Sequence, residues 1–424
     1  MTRLLRRIVR FLARRIVKKY KPKVVAITGS VGKTSAKEAI FAVLKDARRV
    51  RRSTGNLNNE LGIPLAIIAD TEKERGLKFV TREGEGEGNM LHRAQFWARI
   101  ILKGIWLIAA RMPYPEVLIL EYGADRPGDI TYLLSIASPD IAVVTAVGDI
   151  PVHVEFYPAR EAVALEKAKL VERIPPEGFA VLNLDDAAVY GMREKTRGRI
   201  VTFGFNEHAT VRIADASHSM KNNIPQGVAI TLKHQTQAAE AMLRGSLGKT
   251  SAYAAAAAAC VGLILDLGLD EIAANLSAHY LPPKQRMNLK RGIKRTLIID
   301  DSYNASPASM RAALSTLGDI PAKRKIAVLG DMLEIGAYAP EAHEEAGKLA
   351  ARCADMLITV GARAKFIAEA AERAGLPHER IFPCMTAEEA GEKTQNIIQE
   401  GDLILVKASR AIHLEKAVEE IEEK

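Results

Sequence analysis

The sequence predicts an α/β protein made of two units with largely parallel sheets, and three observations predict it. Short apolar runs alternate with stretches of helical spacing through most of the 424 residues. One run, Val24 to Ile27, leads into the glycine-bounded loop Thr28-Gly29-Ser30-Val31-Gly32-Lys33-Thr34-Ser35, and Ala36 to Leu44 then continues with helical spacing and no Gly or Pro. A second series of strand-like runs follows the stiff Leu281-Pro282-Pro283-Lys284 link: Leu297 to Asp300, Ile326 to Leu329, Met356 to Val360 and Leu403 to Val406.

Strand, glycine loop and helix in that order make a phosphate loop. Backbone N–H groups at the helix start face phosphate oxygens, and the helix dipole favours an anion there. Lys33 would reach the terminal phosphates and the Thr34 hydroxyl would hold Mg²⁺. The loop is a tighter variant of the usual pattern, with Ile27 where a first glycine would stand.

Charge is confined to one tail. The net charge is +9, but residues 1–23 hold six Arg and four Lys with no acid, so the rest of the chain is close to neutral and offers no nucleic-acid-binding body. Cys260, Cys353 and Cys384 are scattered without metal-ligand spacing, which fits a reducing compartment and three buried small side chains. Arg6, Arg7, Arg10, Arg14 and Arg15 interrupt the N-terminal apolar residues, so no signal peptide is read there. The apolar stretch Phe96 to Ala110 is too short for a span and contains Arg99 and Lys103.

Taken in order, residues 3–19 predict a basic amphipathic helix, with Leu4, Leu5, Ile8, Val9, Phe11, Leu12 and Ile16 on one broad face. It either lies on an anionic membrane surface or docks on the next domain with its basic face in water. Pro22 ends it. The Asn- and Gly-rich stretch Thr54 to Pro64 is a shaped loop, residues 71–115 read as an insertion, and Glu83 to Gly88 as a flexible surface segment. Val117 to Glu121 is a buried strand ending in a carboxylate, the position where parallel sheets hold ligands. His153 follows the strand Ile141 to Thr145. Ala159 to Ile174 reads as a helix in which Lys167 and Lys169 point to different faces, so only one can enter a site. Residues 199–245 alternate apolar and polar, a small antiparallel portion. Gly248-Lys249-Thr250 repeats the loop motif without a strong strand before it and reads as the start of a packed helix. The predicted organisation is a basic helix (1–21), a central phosphate-loop ATPase domain (22–282) and a C-terminal Rossmann-like α/β domain (283–424).

With these residues assembled, the chain from about residue 22 onward resembles the Mur ligase family. The motifs are the loop at Thr28 to Ser35, Asn56-Leu57-Asn58-Asn59 with Gly62 and Pro64, Glu121 with Gly123, His153-Val154-Glu155 and Lys167-Ala168-Lys169. Three more, Asp300 to Pro307, Leu329 to Gly336 and Val406 to Arg410, resemble the D-alanyl-D-alanine-adding branch. The resemblance implies an ATP-dependent, ADP-forming ligase of peptidoglycan synthesis that joins D-alanyl-D-alanine to a UDP-muramoyl-tripeptide through an acyl phosphate. It implies ATP held by Thr28, Gly29, Ser30, Val31, Gly32, Lys33, Thr34, Ser35, Asn59, Arg286, Asp301 and Asn304. It also implies two Mg²⁺ held by Thr34, Glu121, His153 and a CO₂-derived carbamate on Lys169, with Lys33, His153 and Lys169 in catalytic roles. Substrate contacts fall to Asp331, Glu334, Lys407, Ser409 and Arg410. The expected location is the cytoplasm, at the inner face of the membrane if residues 3–19 touch lipid.

The chain also departs from the family pattern. The resemblance does not extend to the N-terminal domain that usually holds uridine diphosphate, since the loop motif already begins at Thr28. Thr250-Ser251 stands where His-Asn is common, Ala408 replaces Gly, and Ser306 replaces Asn. The acid could therefore be a lipid-linked or other muropeptide. A Mur-type ligase on another acid–amine pair and a low-turnover nucleotide-binding module at the membrane are the competing readings.

Overall fold

In the computed structural model, residues 2–55, 57–74, 90–222 and 224–423 are described. Asn56 and the acidic glycine repeat at 83–88 lie outside them. Among the described residues the strands form two sheets.

The first sheet is built on β1 (Lys23–Thr28), with the order β2-β3-β1-β4-β5-β6-β7-β8-β9. Its other strands are β2 (Val50–Arg52), β3 (Val117–Glu121), β4 (Ile141–Val144), β5 (Phe179–Asn183), β6 (Arg199–Gly204), β7 (Val211–Lys221), β8 (Ile224–His234) and β9 (Gln237–Arg244). β1 pairs in parallel with β3 on one side and β4 on the other, so the strand order reverses at β1 and opens a crevice at its carboxyl end. The antiparallel portion is narrower than 199–245: β6 runs parallel to both β5 and β7, and only β7 to β9 form a meander.

Side chains of β1 alternate between two cores. Val24 and Ala26 pack beneath α1 (Thr2–Tyr20), α3 (Gly62–Ile68), α4 (Met90–Ala109), α5 (Asp129–Leu134) and α6 (Arg160–Glu172). Val25 and Ile27 face α2 (Lys33–Leu44), α8 (Lys249–Ile264) and α9 (Leu269–His279). The single turn α7 (Ala187–Tyr190) follows β5. The alanine run of α8 is buried, which lets that helix approach α2 closely, and Gly248 begins it against Thr316, so the second Gly-Lys-Thr is a helix start as expected.

The second sheet has the order β10-β11-β15-β12-β13-β14. It comprises β10 (Asn288–Gly292), β11 (Thr296–Asp300), β12 (Arg324–Gly330), β13 (Met356–Val360), β14 (Ile381–Cys384) and β15 (Asp402–Lys407), with only β10 antiparallel. α10 (Pro307–Asp319), α11 (Ala339–Cys353) and α12 (Lys365–Arg373) cover one face, and α13 (Ala387–Ile397) and α14 (Glu415–Ile421) the other. Cys260 and Cys384 are buried as expected, whereas Cys353 is only half-buried.

Candidate active site

The phosphate loop is shaped by one threonine on β1's neighbour. Thr145 Oγ1 donates to the Val31 carbonyl at 2.6 Å, and a Cβ on Gly29 would sit 2.1 Å from that oxygen. Only glycine fits at 29. Gly32, at φ 87°, turns the chain into α2 with a left-handed residue that glycine adopts without strain. Ser30 N–H donates to the Ala146 carbonyl at 2.6 Å, which turns it away from the loop mouth. The donors left facing outward are the first-turn N–H groups of α2, which have no acceptor within the helix. Lys33 Nζ folds back onto the Gly29 carbonyl at 2.7 Å, closing over the place an anion would fill. Burial lowers its pKa, Arg286 adds to that, and Glu121 and Asp125 oppose it.

Glu121 ends β3 beside this loop. Its Oε2 accepts from the Thr34 hydroxyl at 3.0 Å and lies 3.4 Å from Lys37 Nζ, while Asn58 Nδ2 approaches Oε1 at 3.4 Å. Burial works to raise the Glu121 pKa, but Lys37, Lys33, Arg286 and the Thr34 hydrogen bond outweigh it and keep the carboxylate ionised. Lys37 was legible only in hindsight: it lies one helical turn after Lys33 and shares its face. Asn59 Oδ1 accepts from Leu61 and Gly62 N–H at 3.1 and 2.9 Å, so it opens α3, and the neighbouring Asn58 amide is the one that reaches Glu121.

The lysine assignment also changes. Lys169 Nζ bonds Glu166 at 2.6 Å and is 38% exposed, on the outer side of α6. Lys167, two residues earlier, is buried and senses Lys33, Asp125, Glu166 and Asp129. Successive helical positions turn by about 100°, so these two lysines stand on nearly opposite faces. α6 presents Lys167 to the phosphate loop. Burial, helped by Lys33, pushes Lys167 down to about 7. His153 holds a left-handed backbone at φ 70° and places Nε2 3.2 Å from Asp125 and Nδ1 2.8 Å from Glu334. Glu334 belongs to the second sheet's unit, so His153 joins the two halves.

From that second unit Arg286 also acts on the site. It stacks 4.3 Å over the Tyr303 ring and acts electrostatically on both Lys33 and Glu121. Its neighbours Gln285 and Met287 have positive φ, held in part by Met287 N–H donating to Asp301 at 3.1 Å. Several other expected substrate or nucleotide contacts are instead occupied internally. Asp331 Oδ1 accepts from Arg363 and Ala364 N–H at 3.0 and 2.7 Å, clasping the turn into α12. Ser409 Oγ accepts from Leu333 N–H at 2.8 Å. Lys407 is buried and donates to Asp301 at 2.5 Å and to the Asn304 carbonyl at 2.9 Å, and Asn304 Oδ1 accepts from Ala305 N–H at 2.9 Å. Arg410 stands 5.5 Å over Tyr303 and is held by Gln285 at 3.2 Å and Glu415 at 3.3 Å.

The donor set suits a hard cation. Thr34 hydroxyl and an ionised Glu121 are oxygen ligands, with the His153 and Asp125 pair nearby. Among the described residues no three His, Cys, Asp or Glu side chains form a ready metal cage.

Comparison with known proteins points the same way. Residues 104–262 match the Mur ligase middle domain and residues 285–410 the Mur ligase, glutamate ligase domain. The UDP-N-acetylmuramoyl-tripeptide–D-alanyl-D-alanine ligase of Mycobacterium tuberculosis H37Rv is 30% identical over 410 residues, covering 92% of this chain and 71% of the relative. The enzyme of that name from Bacillus subtilis is 28% identical over 415 residues, covering 97% and 78%. The crystal structure of MurF ligase from Thermotoga maritima in complex with ADP superposes with a TM-score of 0.76 at 26% identity, covering 97% of this chain and 82% of that one. MurF from Acinetobacter baumannii gives 0.76 at 25% identity, covering 97% and 79%. On these matches this chain belongs to the Mur ligase family.

Proposed function

We propose that this chain is an ATP-dependent, ADP-forming ligase that joins D-alanyl-D-alanine to a UDP-N-acetylmuramoyl-tripeptide in peptidoglycan synthesis, working in the cytoplasm where ATP is supplied. One observation carries the reading: Lys33, Glu121 and Lys167 of the first unit converge where Arg286 and Glu334 arrive from the second.

A carboxylate is a poor electrophile. Transfer of the γ-phosphoryl group of ATP onto it gives an acyl phosphate, the amine of the dipeptide attacks the acyl carbon, and inorganic phosphate leaves. The α2 N-terminus receives the triphosphate, and Lys33 leaves the Gly29 carbonyl to meet it. Arg286 adds positive charge from the opposite side, where charge builds on the transferring group. Thr34 and Glu121 would hold one Mg²⁺ and His153 with a carbamate the second; bound magnesium supplies charge neutralisation of the phosphates. Lys167 rather than Lys169 fits the carbamate. A buried amine with a pKa near 7 is partly neutral at physiological pH, and only a neutral amine adds CO₂. Bringing the two units together excludes water, which would otherwise hydrolyse the acyl phosphate.

The test is phosphate release with ATP and Mg²⁺ over a panel of acids and amines. Release that requires both UDP-muramoyl-tripeptide and D-alanyl-D-alanine is expected. Release only with a different pair would replace the substrates, and ATP binding without product across the panel would replace the ligase.

A further inference from the structure

The N-terminal helix cannot insert its own apolar stripe into a bilayer, because Val9, Leu12, Ala13 and Ile16 are spent on the protein core. α4 lies alongside α1 in the same direction. Leu12 packs so closely on Gly104 that a Cβ there would meet its Cδ1 at 3.0 Å, and Lys19 Nζ donates to the Leu107 and Ile108 carbonyls at 2.9 Å.

The outward side of this pair is unusual in two respects. On α4, Phe96, Trp97, Ile100 and Leu107 face the core, whereas Leu102, Ile105 and Trp106 are 66, 50 and 55% exposed. With Ala98 and Ala109 they make an apolar stripe at helical spacing, and Phe11 of α1 is 55% exposed as well. Neither α1 nor α4 contains an acidic residue. Beside α1 runs a groove of about 890 Å³ whose lining includes Arg7, Arg10, Arg14, Arg15, Lys18 and Arg173. Large apolar side chains left in water beside concentrated positive charge mark a surface that is covered in use. Among the described residues no helix is long and apolar enough to cross a membrane, so the face would lie on one.

We propose that the α1–α4 pair is a docking face for an anionic phospholipid bilayer. Leu102, Ile105, Trp106 and Phe11 enter the boundary between headgroups and acyl chains, and the cations of α1 and its groove take the lipid phosphates. Charge complementarity selects lipid over another apolar partner: the tail at 1–23 carries ten cations and no acid. The proposal stands independently of the substrate reading above.

The full chain is sedimented with mixed phosphatidylglycerol–phosphatidylcholine vesicles and with pure phosphatidylcholine vesicles. Sedimentation with the anionic vesicles, at least about tenfold weaker on the neutral ones, is expected. Leu102→Glu with Ile105→Glu should reduce partitioning by at least about tenfold while the melting temperature and ATP-dependent phosphate release stay unchanged. Acyl-chain-brominated lipid should quench fluorescence, and Trp106→Phe should abolish that quenching. Absence of sedimentation, or binding indifferent to the Leu102 and Ile105 changes, would overturn the proposal. So would a dimer in lipid-free buffer that those changes dissociate, which would give the face to a second copy of the chain.

Discussion

The two sheets place polar side chains at the same position, the carboxyl ends of parallel strands, and use them oppositely. In the first sheet Thr28, Glu121 and Thr145 surround a loop whose glycines keep its mouth open, and Lys33, Lys37 and Lys167 gather there around Glu121. In the second, Asp300, Asp331, Lys407 and Ser409 bond to their own unit: Asp331 clasps a turn, Lys407 ties Asp301 to Asn304, and Ser409 holds the backbone of Leu333. The first arrangement leaves donors for a polyanion. The second builds a rigid platform from which Arg286 and Glu334 are presented across the gap. A strand end is therefore where ligand chemistry can be placed, and the fate of each side chain depends on whether the backbone around it already needs a partner.

The contrast is broken most sharply at Lys33. Lys33→Ala should lower the rate of ATP-dependent phosphate release at least about a hundredfold, because a preorganised charge on the transferring phosphoryl group is lost. Its melting temperature should barely move, since the lysine bonds only to its own loop. Equal activity in Lys33→Ala would place the chemistry elsewhere.

The paired lysines sharpen it. Lys167→Met should cut turnover by about a hundredfold and Lys169→Met by less than about twofold. Short carboxylates added to Lys167→Ala should restore part of the rate. Lys167→Met should also stabilise the ligand-free protein by about 1–3 kcal/mol at pH 7. The folded pKa of Lys167 is about 7 against 10.5 in the unfolded chain, so its burden on stability is full below pH 7 and fades as pH rises toward 10.5. A melting gain that grows instead toward pH 10 would contradict the burial argument.

The smallest expected effect on chemistry belongs to the second platform. Lys407→Met leaves the buried Asp301 without its cation and should cost about 3 kcal/mol in a urea melt. Asp301→Asn combined with Lys407→Met should recover part of that loss. Were Lys407 a direct substrate group, its replacement would raise KM with no change in the melt.

The sequence made the architecture legible because periodicity is a local property. Apolar runs marked β1, β3, β4, β11, β12, β13 and β15 well enough to predict two α/β units, and Gly29 and Gly32 marked a loop where backbone must pass close to Thr145. β10 and β14 were illegible: the first reads Asn-Leu-Lys-Arg-Gly and the second carries Pro383, and both are strands only because an edge was there to pair with. The basic helix at 2–20 was legible as amphipathic, but which surface receives its apolar side was not.

What the sequence alone determined is therefore the order of strands and helices, the phosphate loop, and the inventory of charged groups near strand ends. Which of those groups face a ligand was decided only in three dimensions. Lys167 and Lys169, or Asn58 and Asn59, are equivalent as text, yet about 100° of rotation per helical residue, or a single N–H in need of an acceptor, sends neighbours to opposite tasks. Burial and partner supply depend on elements far away in the chain, and no local pattern records them.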